Sequence, residues 1–290
     1  MRLPTKLSIL AFGAVVALGT TLTATAPAST AAPAGYAPAA TATITPGVQM
    51  YTEGAQCTAN FVYADAAGNT YVGYAAHCAG LGSATDTDGC LNESVPLGTP
   101  VTFNTGGSLI SNGTQVGTGT LAYSSWRTMR ADGETDATTC AYNDLALVKV
   151  SAGDVGKVNP SIPFWGGPTG IDTDGTAAGD RVWSYGNSSL RFGITALSPK
   201  TGISLGDDAA DGGWSHPLYT VTPGVPGDSG SAFLSADGKA VGTLSTLGLA
   251  PLPLSNHIGD LGKELAYAQA HSGIAGLRLV EGTEPFAPVI

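Results

Sequence analysis

Apolar residues occur along this chain in short runs, and from Gln49 onward Gly, Asn and Asp interrupt these runs at close intervals. The runs are rich in β-branched and aromatic residues, which are typical of strands, and the interruptions are typical of tight turns. Short strands at this spacing predict an antiparallel sandwich or barrel. The predicted strands are Ala59–Tyr63, Thr70–Tyr74, Val101–Phe103, Gln115–Tyr123, Leu145–Val150, Arg181–Tyr185, Leu190–Thr195, Leu218–Thr222, Ser231–Leu234 and Ala240–Ser245.

One late segment has a helical period instead. Ile258, Leu261, Leu265 and Ala268 follow one another at steps of three or four residues. Such steps place apolar side chains on one face of an α-helix, and we expect this helix to begin near Asn256. The pattern therefore predicts an all-β chain with a late helix.

Composition divides the chain into segments. Residues 166–179 are rich in Gly and Pro and separate two halves of similar size, 48–165 and 180–290. Residues 32–47 are rich in Ala, Pro and Thr, which predicts a flexible leader or a pro-segment. At 1–31, two basic residues precede an apolar run and a stretch of small residues, the layout of a cleaved secretory signal peptide. The apolar run is shorter than the ~20 residues that span a bilayer, so we expect a secreted, extracellular protein without membrane contact after cleavage.

Charge narrows the range of partners. Charged residues make up 12% of the chain, against roughly 25% in an average soluble domain. The formal net charge is −10, and because an acidic surface repels phosphate, we expect no nucleic-acid partner. We expect the protein to be a monomer.

Four cysteines lie in the exported part of the chain: Cys57, Cys78, Cys90 and Cys140. An even number of cysteines in an oxidising compartment predicts two disulfides, and the residues alone leave three pairings open. The cysteines have no metal-ligand spacing, so we expect no structural metal, and nothing indicates a cofactor.

His77 lies among small residues in the segment Gly73–Cys78. If the adjacent cysteine is bridged, the ring is held in one orientation, as a general base requires. The alternative is a buried histidine whose hydrogen bonds serve stability alone.

Asp144 stands at the start of the apolar strand Leu145–Val150. A carboxylate there is costly to bury without a partner. An imidazole partner would have its tautomer fixed and its charged form stabilised by the carboxylate. The alternative is an Asp that caps a turn.

Ser229 lies in the segment Pro226–Ser231, with Gly227 and Gly230 on either side. Neighbouring glycines leave the hydroxyl accessible and let backbone N–H groups converge on a small anion, as an oxyanion hole requires. The alternative is a simple Gly/Ser turn.

The three segments, in this chain order, resemble the signature neighbourhoods of the trypsin/chymotrypsin-like serine peptidases, of the bacterial, actinobacterial type. The matching words are Ala-Ala-His-Cys, Asn-Asp-Leu-Ala-Leu and Gly-Asp-Ser-Gly. The resemblance implies two six-stranded antiparallel β-barrels at 48–165 and 180–290, joined by 166–179, with the site in the cleft between them and a C-terminal helix.

The resemblance also implies a role for each site residue. Ser229 would be the nucleophile, His77 the general base and acid, and Asp144 the orienting carboxylate. The N–H groups of Gly227 and Ser229 would form the oxyanion hole, and Ser245 would hydrogen-bond to Asp144. The implied disulfides are Cys57–Cys78 and Cys90–Cys140.

Two departures from the family pattern bear on activation and specificity. Residues 44–48 do not match the start that pairs, in animal members, with the Asp before the nucleophile, so we expect Asp228 to have another partner. Pro223 stands where tryptic members carry an Asp, and Thr246 and Leu247 replace a Trp-Gly wall. We therefore expect cleavage of peptides or proteins after small or apolar residues. The alternatives are a catalytically silent binding protein and an esterase with the same triad.

Overall fold

The computed structural model describes residues 35–82, 87–207, 209–248 and 255–288, so the predicted signal peptide lies outside the described residues. The first half of the chain forms one antiparallel sheet that curls around its own core. Its strands are β1 (Gln49–Thr52), β2 (Ala55–Thr58), β3 (Val62–Ala64), β4 (Thr70–Ala75), β5 (Pro100–Thr105), β6 (Thr114–Ser124) and β7 (Leu145–Val150).

This sheet has eight strands and is open, whereas we predicted a closed barrel of six. The order is β14-β3-β4-β7-β6-β5-β1-β2, in which β14 (Arg278–Leu279) comes from the end of the chain. The β1–β2 hairpin forms one edge, and β14 pairs with β3 at the other. No strand pairing joins these two edges within the described residues.

The second half forms the predicted closed barrel of six antiparallel strands. Its order is β10-β13-β12-β11-β8-β9. The strands are β8 (Arg181–Tyr185), β9 (Pro199–Ser204), β10 (Ser215–Thr220), β11 (Ala232–Leu234), β12 (Ala240–Gly248) and β13 (Ser255–Asp260). The all-β fold class is confirmed.

The strand that we predicted over Leu190–Thr195 is wrong. Short 3₁₀ turns at Ser189–Arg191 and Thr195–Leu197 take its place. Phe192 and Ile194 are mostly exposed, so this segment has no buried apolar face against which a strand would pack.

Three α-helices lie in the described chain: α1 (Ser125–Asp132), α2 (Ala137–Tyr142) and α3 (Leu261–His271). The predicted C-terminal helix is present but begins five residues later than Asn256. Ser255–Asp260 pair as β13 with strands on both sides, and the Asp260 side chain caps α3 by accepting from the Lys263 N–H at 2.8 Å. No helix among the described residues is long and apolar enough to cross a membrane.

The two halves share a hydrophobic core. One buried cluster joins Leu145 and Leu147 of the first sheet to Trp183 of the barrel and to Leu261 and Leu265 of α3. Because both halves contribute buried side chains to one cluster, the walls of the cleft between them are held relative to one another.

The described part of the predicted flexible leader packs against the first sheet. Ile44 is fully buried and bridges to Val158, and the Asn159 side chain donates to the Ala37 carbonyl at 2.8 Å. Residues 35–47 are therefore not flexible, and of our two alternatives, a flexible leader or a pro-segment, the second stays a prediction. Small residues dominate the composition, but Ile44 anchors the segment.

Candidate active site

His77 lies where β4 ends and the chain enters a 3₁₀ turn over Ala76–Ala79. The Cys57–Cys78 disulfide holds the backbone next to the ring. The His77 backbone N–H donates to Asp144 Oδ1 at 2.8 Å, and the ring Nδ1 lies 2.7 Å from Asp144 Oδ2. One carboxylate thus fixes both the backbone and the ring, and Nε2 remains for another partner.

Asp144 is buried just before β7 and is held through its side chain and its backbone. Ser245 Oγ donates to its Oδ2 at 2.6 Å. Its carbonyl accepts from the Ala76 N–H at 2.9 Å, and its own N–H donates to Glu264 Oε1 at 3.0 Å. The donors to the carboxylate, the Ser245 hydroxyl and the His77 N–H, offset the cost of burying the Asp144 charge.

Two opposing effects act on the pKa of His77. Burial lowers it, the charge of Asp144 and the hydrogen bond to Asp144 raise it, and the net pKa lies above its ordinary value. The protonated ring is therefore stabilised, as a group that takes a proton and returns it later requires. Trp126 lies beside the ring, with the two ring centroids 6.2 Å apart.

Ser229 lies in a tight turn whose conformation depends on two glycines. Gly227 and Gly230 have φ of 94° and 89°, values that favour glycine. The Gly227 carbonyl accepts hydrogen bonds from Thr58 Oγ1 at 2.7 Å and from Gln56 Nε2 at 3.1 Å. The positive φ of Gly227 favours glycine there, and a Cβ would in addition displace the end of the Gln56 side chain.

Two backbone N–H groups of the Ser229 turn are available to a bound molecule. Within the described ranges, the N–H groups of Gly227 and Ser229 donate to no other residue. Ser229 and His77 line the same cleft, although no hydrogen bond joins the Ser229 hydroxyl to the His77 ring in the described chain. Catalytic hydrogen bonds are often long before substrate binds and shorten in the complex.

Asp228 is fully buried beneath this turn and has two cationic partners. Lys200 Nζ lies 2.6 Å and Arg191 Nη2 2.5 Å from Oδ2, and the Ser188 N–H donates to Oδ1 at 3.1 Å. Burial raises the pKa of Asp228, but the charges of Lys200 and Arg191 and their hydrogen bonds outweigh this effect, so the pKa lies below its ordinary value. The expectation that Asp228 has another partner than a new N-terminus is met by two internal side chains, Lys200 and Arg191.

The cleft has a volume of about 580 Å³. Of the residues that we predicted to form the specificity pocket, Thr246 and Leu247 line it and Pro223 does not. Gly224 and Val225, next to Pro223 in the chain, form that wall. No Asp, Glu, Lys or Arg is among the described residues that line the cleft.

The two disulfides are the pairs that the resemblance implies, Cys57–Cys78 and Cys90–Cys140. Three potential metal-ligand atoms converge at two places among the described residues, and each place contains one of these disulfides. Since a disulfide sulfur is not the thiolate that binds a metal, neither place offers the ligands of a metal site.

Sequence reasoning missed three ionisable residues next to the site: Arg191, Lys200 and Glu264. The partnership of Lys200 with Asp228 depends on the register of β9, which no local pattern encodes. A signal for Glu264 was available, since it stands three residues after Leu261 and four before Ala268, on the buried stripe of α3.

No protein-family model and no curated protein matches this chain. Its structural neighbours are bacterial serine proteases. Thermobifida fusca protease A is 19% identical with a TM-score of 0.49, over 83% of this chain and 100% of that one. Nocardiopsis protease is 19% identical with a TM-score of 0.46, over 81% and 98%. Cellulomonas bogoriensis chymotrypsin is 19% identical with a TM-score of 0.43, over 82% and 98%.

Proposed function

We propose that this protein is a secreted serine endopeptidase. In this proposal Ser229 is the nucleophile, His77 the general base and acid, and Asp144 the orienting carboxylate. The N–H groups of Gly227 and Ser229 form the oxyanion hole. The protein acts as a monomer on peptides or proteins.

The observation that supports this function best is the hydrogen-bonded array around Asp144. The His77 ring and the Ser245 hydroxyl both bond to one buried carboxylate oxygen, at 2.7 and 2.6 Å. A buried Asp that served only to cap a turn would not need an imidazole at the mouth of a cleft. The cleft is also lined by Ser229, the group that such an imidazole would deprotonate.

The chemistry follows from these groups. Ser229 Oγ attacks the peptide carbonyl carbon while His77 Nε2 takes the hydroxyl proton. The carbonyl oxygen becomes an oxyanion that accepts hydrogen bonds from the two backbone N–H groups. His77 then gives its proton to the leaving amine, and an acyl-enzyme remains on Ser229. Water attacks the ester by the same route and releases the acid.

The Asp228 contacts support a nucleophile turn that is formed without a new N-terminus. Lys200 and Arg191 belong to the same half of the chain as Ser229 and neutralise the carboxylate from inside. Removal of the signal peptide and of any leader would therefore not be needed to order this turn.

The lining of the cleft supports a preference for small or medium apolar residues before the cut. Leu247 lines the pocket wall, and Leu244 and Leu247 approach Gly224 across it. Because no charged side chain other than His77 lines the described cleft, an Arg, Lys or Glu side chain would lose its hydration without gaining a partner.

Labelling with a fluorophosphonate, followed by mass spectrometry of the adduct, tests the proposal. We expect an adduct on Ser229 that disappears in Ser229→Ala and persists in Ser235→Ala, a matched control outside the cleft. No adduct on folded protein would contradict the proposal and favour the silent binding protein. An adduct together with hydrolysis of small esters but of no peptide in a library would favour the esterase.

A further inference from the structure

Two acids among the described residues are completely buried, and of these Asp228 pairs with two cations whereas Glu264 forms no ion pair within the described chain. Its side chain projects from α3 and is fully buried. Oε1 accepts from the Asp144 N–H at 3.0 Å. Within the described residues, Oε2 has no hydrogen-bond partner.

The charged groups nearest to Glu264 are acids, Asp144 before β7 and Asp260 at the end of β13, and both charges oppose its ionisation. The hydrogen bond from the Asp144 N–H acts in the opposite direction. Tyr63 on β3 and Tyr123 on β6 also lie near Glu264 and are uncharged, since burial raises the pKa of both phenols. Burial is the main cause that raises the pKa of Glu264 well above its ordinary value, and the negative charge of Asp144 is the next. A buried carboxylate without a cation is costly, so the neutral acid is the stable form.

Asp144 is held from two further elements, β12 and α3. Ser245 on β12 donates to the Asp144 carboxylate at 2.6 Å, while Glu264 on α3 accepts the Asp144 N–H at 3.0 Å. Strand β12 is itself tied to the first half of the chain, because Asn60 Nδ2 donates to Thr243 Oγ1 at 3.1 Å. Asp144 is thus fixed through its side chain by β12 and through its backbone by α3.

We propose that Glu264 is a positioning residue of the site: held as a neutral acid, it accepts the Asp144 N–H and keeps the Asp144 carboxylate aligned with His77 without adding a second negative charge. Its catalytic meaning rests on the proposed peptidase function, whereas its neutral state does not. An ionised Glu264 beside Asp144 would favour protonated His77 and leave less of the neutral base at a given pH.

The neutral state is tested by the pH dependence of unfolding. Glu264→Gln keeps the shape and the acceptor oxygen but cannot titrate. Wild type gives up the Glu264 proton on unfolding, so the ratio of its unfolding constant to that of Glu264→Gln should rise about tenfold per pH unit between about pH 5 and 7. Leu265→Ala on the same helix is the control, since it should shift the unfolding constant by one factor at every pH. A wild-type ratio that stays flat over this range would overturn the neutral acid.

The positioning role is tested by the rate of fluorophosphonate labelling of Ser229. Glu264→Met leaves the buried Asp144 N–H without an acceptor, and its maximal labelling rate should fall about tenfold while the affinity for the reagent is kept. Glu264→Gln should recover most of the rate, and Glu264→Leu replaces the methionine variant if that one does not fold. Equal rates in wild type and Glu264→Met would overturn the role. Absence of labelling in wild type would overturn the peptidase function instead, and the unfolding series would still decide the state of Glu264.

Discussion

Asp228 and Glu264 are two fully buried acids, and they hold opposite sides of the same site by opposite means. Asp228, beneath the Ser229 turn, is paired with Lys200 and Arg191. Glu264, behind Asp144, lies near acids and tyrosines and forms no ion pair within the part of the chain that the structure describes. The pKa of Asp228 is lowered, because its cations outweigh burial, and that of Glu264 is raised by burial and by Asp144.

The difference sets two opposite dependences of stability on pH. The contribution of Asp228 is present above its unfolded pKa and is lost as the pH falls through its lowered native pKa. The contribution of Glu264 is full below its unfolded pKa and is lost as the pH rises through its raised native pKa. The protein is therefore most stable between these two pH limits. Removing Asp228 should weaken the pH dependence of stability on the acidic side, and removing Glu264 should weaken it on the alkaline side.

The largest expected effect comes from removing the carboxylate of Asp228, the acid that is paired with cations. Asp228→Ala leaves Lys200 and Arg191 buried without a counter-charge, which should lower the free energy of unfolding by about 3–5 kcal/mol. Chemical denaturation measures the loss. Asp237→Ala removes an exposed carboxylate that pairs with Lys239 and is the matched control. If the two variants unfold at similar denaturant concentrations, the ion pairs of Asp228 with Lys200 and Arg191 do not stabilise the protein.

A smaller effect separates the two cations. Lys200→Met removes one charge-assisted hydrogen bond while Arg191 stays on the carboxylate, and it should cost about 1.5–3 kcal/mol. Arg191→Met should behave alike, and the double variant should lose more than the two losses added, because Asp228 is then a bare buried charge. Denaturation of the four proteins in this cycle measures the coupling, and strict additivity would speak against a shared role.

Ser245→Ala acts on Asp144, the acid that Glu264 supports. It removes the 2.6 Å hydrogen bond to Oδ2, and we expect the rate of fluorophosphonate labelling to fall about tenfold, since a hydrogen bond to a charged group contributes roughly 1.5–3 kcal/mol. The denaturation midpoint should change much less than in Asp228→Ala. An unchanged labelling rate would show that Glu264 and His77 suffice to hold Asp144.

The smallest expected effect is a shift of the pH below which the labelling rate falls. Only neutral His77 accepts a proton, so the labelling rate should rise with pH through the pKa of His77. Because this pKa is raised, the midpoint should lie above about 6.5, the ordinary value for histidine. A midpoint below that value, or a rate that does not change with pH, would contradict the contact with Asp144.

Local patterns sufficed for part of the fold. Strands β7 and β8 have the predicted bounds, because each is a compact apolar run that turn residues delimit. Ile258 shows the limit, since its spacing fits the helix of Leu261 and Leu265 and yet it is buried in β13 between two partner strands. Periodicity does not distinguish a helix from the buried strand that leads into it.

The candidate site divides in the same way. The contacts of Asp144 with His77 and Ser245 are those that the resemblance implies. Lys200 and Glu264 were not predicted as part of the site, because they approach it from elements that are distant in sequence, Lys200 from β9 and Glu264 from α3. Charged residues are expected at the surface, so composition alone assigns both to solvent.

Strand β14 has a consequence for the order of synthesis. Arg278 and Leu279 complete the edge of β3, and Val280 donates to the Val62 carbonyl at 2.9 Å. A chain that leaves the ribosome from its N-terminus presents β3 more than two hundred residues before its partner is made. An unpaired edge of this kind invites pairing with other chains, and contacts between such distant residues form slowly. Folding of the first half is therefore completed only after residues 278–280 have been synthesised, and the edge of β3 stays unpaired until then.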